Sequence, residues 1–168
     1  MIMKNHHLRY LIFIWLMLTM GACVSVKIPT GTGTPAKDVK YSDPSAPFKE
    51  IKVTSGDKAW LSSKTGNTIS FISDCNGSAD PSLQQIEGES LVVLDKLKIL
   101  TTQNFDFNGR DALRTLAQGE VDGVSVKTEL IVFKKNGCNF TLSYGGVAKT
   151  FESEKNFFDN FVESFKAL

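Results

Sequence analysis

The sequence predicts an α+β fold: an antiparallel β-sheet of hairpins and meanders covered by a mid-chain helix and a C-terminal Phe-rich helix. Three observations carry that prediction. Asn108-Gly109 and Asn136-Gly137 each separate two alternating apolar–polar stretches. Asn-Gly is a strong hairpin signal because both residues accept positive φ. From Pro81 on, Leu83, Ile86, Leu91, Leu94 and Leu97 recur at roughly helical spacing. Near the end, Phe157, Phe158, Phe161, Val162, Phe165 and Leu168 form one apolar stripe.

In chain order, Phe48 to Val53 alternates apolar and polar residues and reads as the first strand. Lys58 to Ser62, around Trp60, reads as the second. The turn-forming Lys64-Thr65-Gly66-Asn67 joins it to a third, Thr68 to Ser73. Asp80 suits the N-cap and Pro81 the first turn of a helix running to Lys96, in spite of Gly88. Val92 and Val93 leave part of that stretch open to pairing as a strand instead. Strands follow at Lys98–Phe107, Arg110–Gln118, Val124–Lys134 and Cys138–Tyr144.

On Val124–Lys134, the residues Val124, Val126, Thr128, Leu130 and Val132 share one face, opposite Ser125, Lys127 and Glu129. The sheet is therefore expected to bury one face and wet the other. Gly145-Gly146 ends the pattern. Ser153 suits the N-cap of a last helix to Leu168, and Glu154 lies favourably in its first turn. Its stripe is expected to cover the buried face of the sheet.

This order of strands, helix, antiparallel strands and closing Phe-rich helix resembles the PsbP-like and DcrB-like group of small lipid-anchored or thylakoid-lumen proteins. The resemblance rests on Leu130 to Lys134, the Asn136-Gly137 turn, Phe140 to Tyr144 and Phe161-Val162-Glu163-Ser164-Phe165, within about the last 70 residues. It implies an accessory or assembly role and carries over no functional residue, because fold does not imply function.

The beginning of the chain bears on location. Residues 1–9 hold Lys4 and Arg9 and no acid, and an apolar run from Tyr10 to Met20 is closed by Gly21, Ala22 and Cys23. That is the construction of a secretory signal. The run is about half the roughly 20 residues a membrane-spanning helix needs. Met20-Gly21-Ala22-Cys23 resembles the lipobox of bacterial lipoproteins, with Met20 where that family most often has Leu. The resemblance implies removal of the signal peptide (residues 1–22) and acylation of Cys23, which then holds the protein at a membrane by lipid. An ordinary secretory signal with an incidental cysteine is the alternative. Enteric lipoproteins kept at the inner membrane resemble one another in an Asp after the cysteine, and Val24 here leans toward the outer membrane. Residues 23–46, rich in Gly, Thr, Ser and Pro, read as a lipid-anchored flexible tether, and 47–168 as a single globular domain.

Composition excludes several activities. Lys4 and Arg9 are the only charged residues of the first 22, so of 19 basic and 18 acidic side chains the remainder keeps 17 and 18, a formal charge of −1. No basic field is left to hold a nucleic acid. His6 and His7 are the only histidines and leave with the signal, which excludes His-dependent catalysis and His-containing metal sites. No phosphate-cradling glycine motif occurs, and no spacing singles out a Ser–Lys pair. Asp106, Asp111 and Asn104 surround one turn but lack a cation-binding loop and read as solvated turn residues.

With Cys23 acylated, Cys75 and Cys138 remain as an even pair in an oxidising compartment. A disulfide is expected there, two separate buried thiols being the alternative. Trp60, Tyr144 and Gly145-Gly146 either border a binding surface or belong to the core. Arg110 and Arg114 are read as facing opposite sides of their strand, which makes no anion clamp. The expectation is a membrane-tethered envelope lipoprotein without enzymatic activity, cofactor or metal, acting as an accessory or protein-binding module with an envelope protein as partner. The alternatives are a small-ligand-binding domain, which needs a pocket between sheet and helix, and, more remotely, a Ser/Lys hydrolase.

Overall fold

The computed structural model describes residues 34–54, 56–75, 77 and 80–168. Cys23 and the signal segment lie outside the described residues. Seven strands form one antiparallel sheet: β2 (Phe48–Ile51), β3 (Lys58–Ser62), β4 (Thr68–Cys75), β8 (Cys138–Val147), β7 (Val124–Lys135), β6 (Arg110–Val121) and β5 (Asp95–Phe107), in that spatial order. A two-stranded ribbon pairs β1 (Val39–Lys40) with β9 (Lys166–Ala167). Helix α1 (Leu83–Leu91) precedes β5, and a 3-10 turn (Phe151–Glu154) leads into helix α2 (Lys155–Ser164). This is the expected α+β class.

The meander β5–β8 turns on three two-residue loops. Asn108-Gly109 (φ 58° and 71°) and Asn136-Gly137 (54° and 74°) adopt the conformation their residue types favour. Asp122-Gly123 (51° and 78°) makes a third such turn that the sequence reading passed over, leaving β6 shorter and β7 unjoined to it. In a meander, alternate turns fall at the same end. Both Asn-Gly turns therefore lie together, beside the ends of β4 and β8.

The sheet is buried on both faces at its centre, which corrects the expectation of one wet face. Ile131, Phe133, Leu142, Phe140, Phe71 and Ile69 point to the face covered by α2, where Phe158, Phe161 and Phe165 complete the main core with Trp60 and Tyr144. Leu113, Ala117, Leu130 and Val132 point the other way and meet Ile86 and Leu91 of α1. The closing stripe is expected on the face of Val124, Leu130 and Val132, but α2 takes the face of Ile131 and Phe133 and α1 takes the other. They sit on opposite faces because β7 is apolar on both.

Several boundaries move for local reasons. Helix α1 is capped by Ser82, not Asp80: Ser82 Oγ accepts from the Gln85 N–H at 3.2 Å and Gln85 Oε1 from the Ser82 N–H at 2.7 Å. That reciprocal capping box satisfies two backbone donors. The helix stops at Leu91, and the residues after it turn into the long edge strand β5, so Leu94 and Lys96 are not helical. β-branched Val92 and Val93 mark the change. The final helix begins at Lys155 rather than Ser153, whose hydroxyl donates to the Thr150 carbonyl at 2.6 Å. It ends at Ser164, and Lys166–Ala167 continues as a strand.

The segment read as tether through Ala46 belongs in part to the fold. Thr34 bridges Cys75, because β4 runs on beyond its pairing with β3 and leaves backbone groups to satisfy. The Ala36 N–H donates to Ser73 Oγ at 2.7 Å. Tyr41 inserts its ring among Trp60, Phe71, Phe161 and Phe165, with centroid separations of 5.8, 5.1, 5.7 and 6.0 Å. An aromatic at that place closes a gap that a spacer would leave open.

Phe161, 1% exposed, touches four of these rings. Phe161→Asp removes that packing and buries a charge, costing more than about 4 kcal/mol. The thermal unfolding transition is expected to disappear, and an unchanged midpoint would overturn the packing assignment. Two glycines give an opposed pair. A Cβ on Gly146 would overlap the buried Asn67 amide, whereas one on Gly88 meets nothing within 4 Å. Gly146→Ala should cost about 2–3 kcal/mol, and Gly88→Ala should stabilise by about 0.5–1 kcal/mol. Denaturant titrations of the two variants check both signs.

Candidate functional site

Two polar clusters lie inside the α2 side of the fold. In the first, Asn67 and Glu154 are buried where the β3–β4 turn meets the 3-10 turn. The Asn67 amide donates to the Tyr144 hydroxyl at 2.8 Å and to the Thr150 carbonyl at 3.2 Å. The Tyr144 hydroxyl donates to the Phe151 carbonyl at 2.6 Å. Glu154 accepts from Ser62 Oγ at 3.0 Å, from Asn67 Nδ2 at 3.3 Å and from the Thr65 hydroxyl. Burial and the nearby Glu154 carboxylate push the Tyr144 phenol well above its ordinary pKa, so it stays protonated and donating. Every member is satisfied, and the cluster anchors the start of α2 to the sheet.

The second cluster is charged. Glu129, 3% exposed on β7, takes the Arg114 Nε donor at 2.5 Å and lies 3.4 Å from Lys155 Nζ. Asp159 on α2 accepts from Arg114 at 2.6 Å and from Lys155 at 2.9 Å. Two cations and two carboxylates close on one another and fix α2 across β6 and β7. The sequence places Glu129 on an outward face; the structure puts that face under α2. Trp60 and Tyr144, at 1% and 0% exposure, are core residues and border no surface.

The concave surface lies at the other end of the strands, around Cys75 and Cys138. These residues face each other across β4 and β8 with Cα atoms 4.0 Å apart and are joined by a disulfide that closes a 63-residue separation. One cleft, about 270 Å³, is bounded by the entering segment at Ala36, the disulfide and Ala167. The other, about 480 Å³, lies beside the β7–β8 turn and is lined by Asp80, Arg110, Lys134, Lys135 and Asn139. Lys134 binds Asp80 and the Pro81 carbonyl, and Lys135 Nζ donates to the Asn108 carbonyl at 3.2 Å. Among the described residues no carboxylate lies within ion-pair distance of Arg110 or Lys135.

Arg110 and Arg114 share a face, contrary to the sequence reading, because residues four apart on a strand point the same way. Arg114 is consumed by the charged cluster, while Arg110 stands free at the strand end, one pleat beyond the Ala112–Phe133 pair and beside Lys135. Sequence reasoning missed this juxtaposition although its signal was present: two hairpin turns at one end of a meander bring their flanking residues together. Asp106 and Asp111 oppose one another across the β5–β6 hairpin, on the face away from Arg110. Among the described residues no group of three or more His, Cys, Asp or Glu is placed to hold a metal, and no helix is long and apolar enough to cross a membrane.

No family model and no curated protein matches the chain. Solved structures do. The chain is similar to cyanobacterial PsbP (CyanoP) from Synechocystis, with a TM-score of 0.56 at 13% identity over 89% of this chain and 99% of that one. It is also similar to LpqN of Mycobacterium tuberculosis, a protein involved in cell envelope biogenesis, with a TM-score of 0.58 at 11% identity over 80% and 84%. The PsbP-like resemblance read from the last part of the chain is met at the level of fold. Identity this low shows the fold alone.

Burial pushes the Asp159 carboxyl upward, but Lys155 and Arg114 outweigh it and hold the group below its ordinary range. A depressed carboxylate contributes stability above its unfolded pKa of about 3.9 and loses it as pH falls through the folded value. Asp159 is 40% exposed, so its contribution at neutral pH is about 1 kcal/mol. Thermal midpoints of wild type and Asp159→Asn should differ at pH 7 and converge as pH falls below about 4. A gap independent of pH would overturn the ion-pair account.

Proposed function

We propose that the chain is a lipoprotein of the bacterial cell envelope, with residues 1–22 removed, Cys23 acylated and the folded domain displayed on the membrane. The domain works without catalysis, as an accessory or protein-binding module for an envelope protein partner. The observation that carries this reading is the fold shared over most of the chain with CyanoP and with LpqN, whose own role is in envelope biogenesis. The lipobox-like Met20-Gly21-Ala22-Cys23 supports the anchor, and Val24 favours the outer membrane over the inner. The absence of histidine beyond residue 7, and the full use of Glu129, Glu154, Arg114 and Lys155 in internal contacts, support a non-enzymatic role. A small ligand held between sheet and helix is disfavoured, because Phe158, Phe161 and Phe165 fill that interface.

The test is the intact mass of the protein extracted from its native membrane, with and without reductant. The expected mass begins at Cys23, carries acyl chains, and gains two hydrogens on reduction as Cys75 and Cys138 are freed. An unacylated mass beginning elsewhere would remove the anchor from the account.

A further inference from the structure

We infer that the cleft beside the β7–β8 turn, with Arg110 and Lys135 as its unpaired cations, docks on the phosphate headgroups of an anionic lipid bilayer. The inference rests on the lipid anchor at Cys23 proposed above. It begins from where the chain enters the fold. Thr34 is bound to Cys75, at the disulfide end of the sheet. Only residues 24–33 separate Cys23 from that point. A chain of that length reaches at most about 40 Å. Strands of 12 residues such as β6 and β7 are themselves about 40 Å long. A short leash fixed at one end of such a body holds that end nearest the membrane.

The chemistry of that end agrees. Arg110 and Lys135 project side by side on the face that carries the disulfide, and Lys134 and Asn139 line the same cleft. The acidic pair Asp106 and Asp111 points to the opposite face, while Asp80 lines the cleft and Asp38 lines the neighbouring one with Lys135. A guanidinium and an ammonium side by side are donors suited to a phosphate oxygen. Asp80 compensates Lys134 alone, leaving the cleft net basic. The domain as a whole is near neutral, so the attraction is local and oriented: it tilts the disulfide face toward lipid.

The experiment measures amide hydrogen exchange of the native, anchored protein in vesicles of phosphatidylcholine, and in vesicles with one third phosphatidylglycerol. In the anionic vesicles, exchange across Asn108–Arg110 and Lys135–Asn139 is expected to slow about 25-fold, from two cations contributing about a factor of five each. High salt should reverse the slowing, and Arg110→Gln with Lys135→Gln should abolish it in protein that keeps a cooperative thermal transition. Equal exchange in both vesicles would overturn the inference. Slowing by inorganic phosphate in neutral vesicles would also overturn it, by making the cleft a site for free anions. The mass measurement decides the anchor independently: an unacylated protein that still shows lipid-dependent slowing on added vesicles keeps the site and loses the anchor.

Discussion

Five consecutive residues of β7, Glu129 to Phe133, are shut off from water although successive side chains point to opposite faces of the sheet. A strand in that position demands a cover on each side. The rest of the architecture answers that demand. α1 closes over Leu130 and Val132, and α2 closes over Ile131 and Phe133. Because the connection between β4 and β5 must carry α1 to one face and the chain after β8 must carry α2 to the other, the sheet becomes a middle layer.

The one polar side chain in that buried run, Glu129, determines how α2 is held. A buried carboxylate is costly unless paired. Arg114 from the neighbouring strand and Lys155 from the helix supply the pairing, and Asp159 returns the balance. At the far end of the same helix start, Glu154 is satisfied by neutral donors from the β3–β4 turn. The two clusters therefore act as positioning contacts for α2. Each of their charged groups is held by a partner inside the fold.

With its polar interior occupied in this way, the molecule keeps its open concave surface at the disulfide end, with Arg110 and Lys135 beside it. There the entering chain, Cys75–Cys138, both Asn-Gly turns and the last strand meet. Asn108 ties them: its side chain donates to the Phe165 carbonyl at 3.2 Å and accepts from the Ala167 N–H at 3.0 Å, and its carbonyl holds Lys135. This end is braced by a covalent link as well as by hydrogen bonds.

By itself the sequence determined the elements whose causes are local. The Asn108-Gly109 and Asn136-Gly137 hairpins follow from residues that accept positive φ, and the Phe stripe of α2 follows from helical periodicity. The tertiary structure alone decided what depends on distant partners. Which face α1 takes, why Glu129 is buried, and why Tyr41 leaves the expected spacer to enter the core are matters of long-range packing. So is the free pair Arg110 and Lys135, set by the register of two strands whose turns share an end. A helix end or a turn is written in adjacent residues. The covering of a strand and the pairing of a charge are written in residues that meet only after the chain has folded.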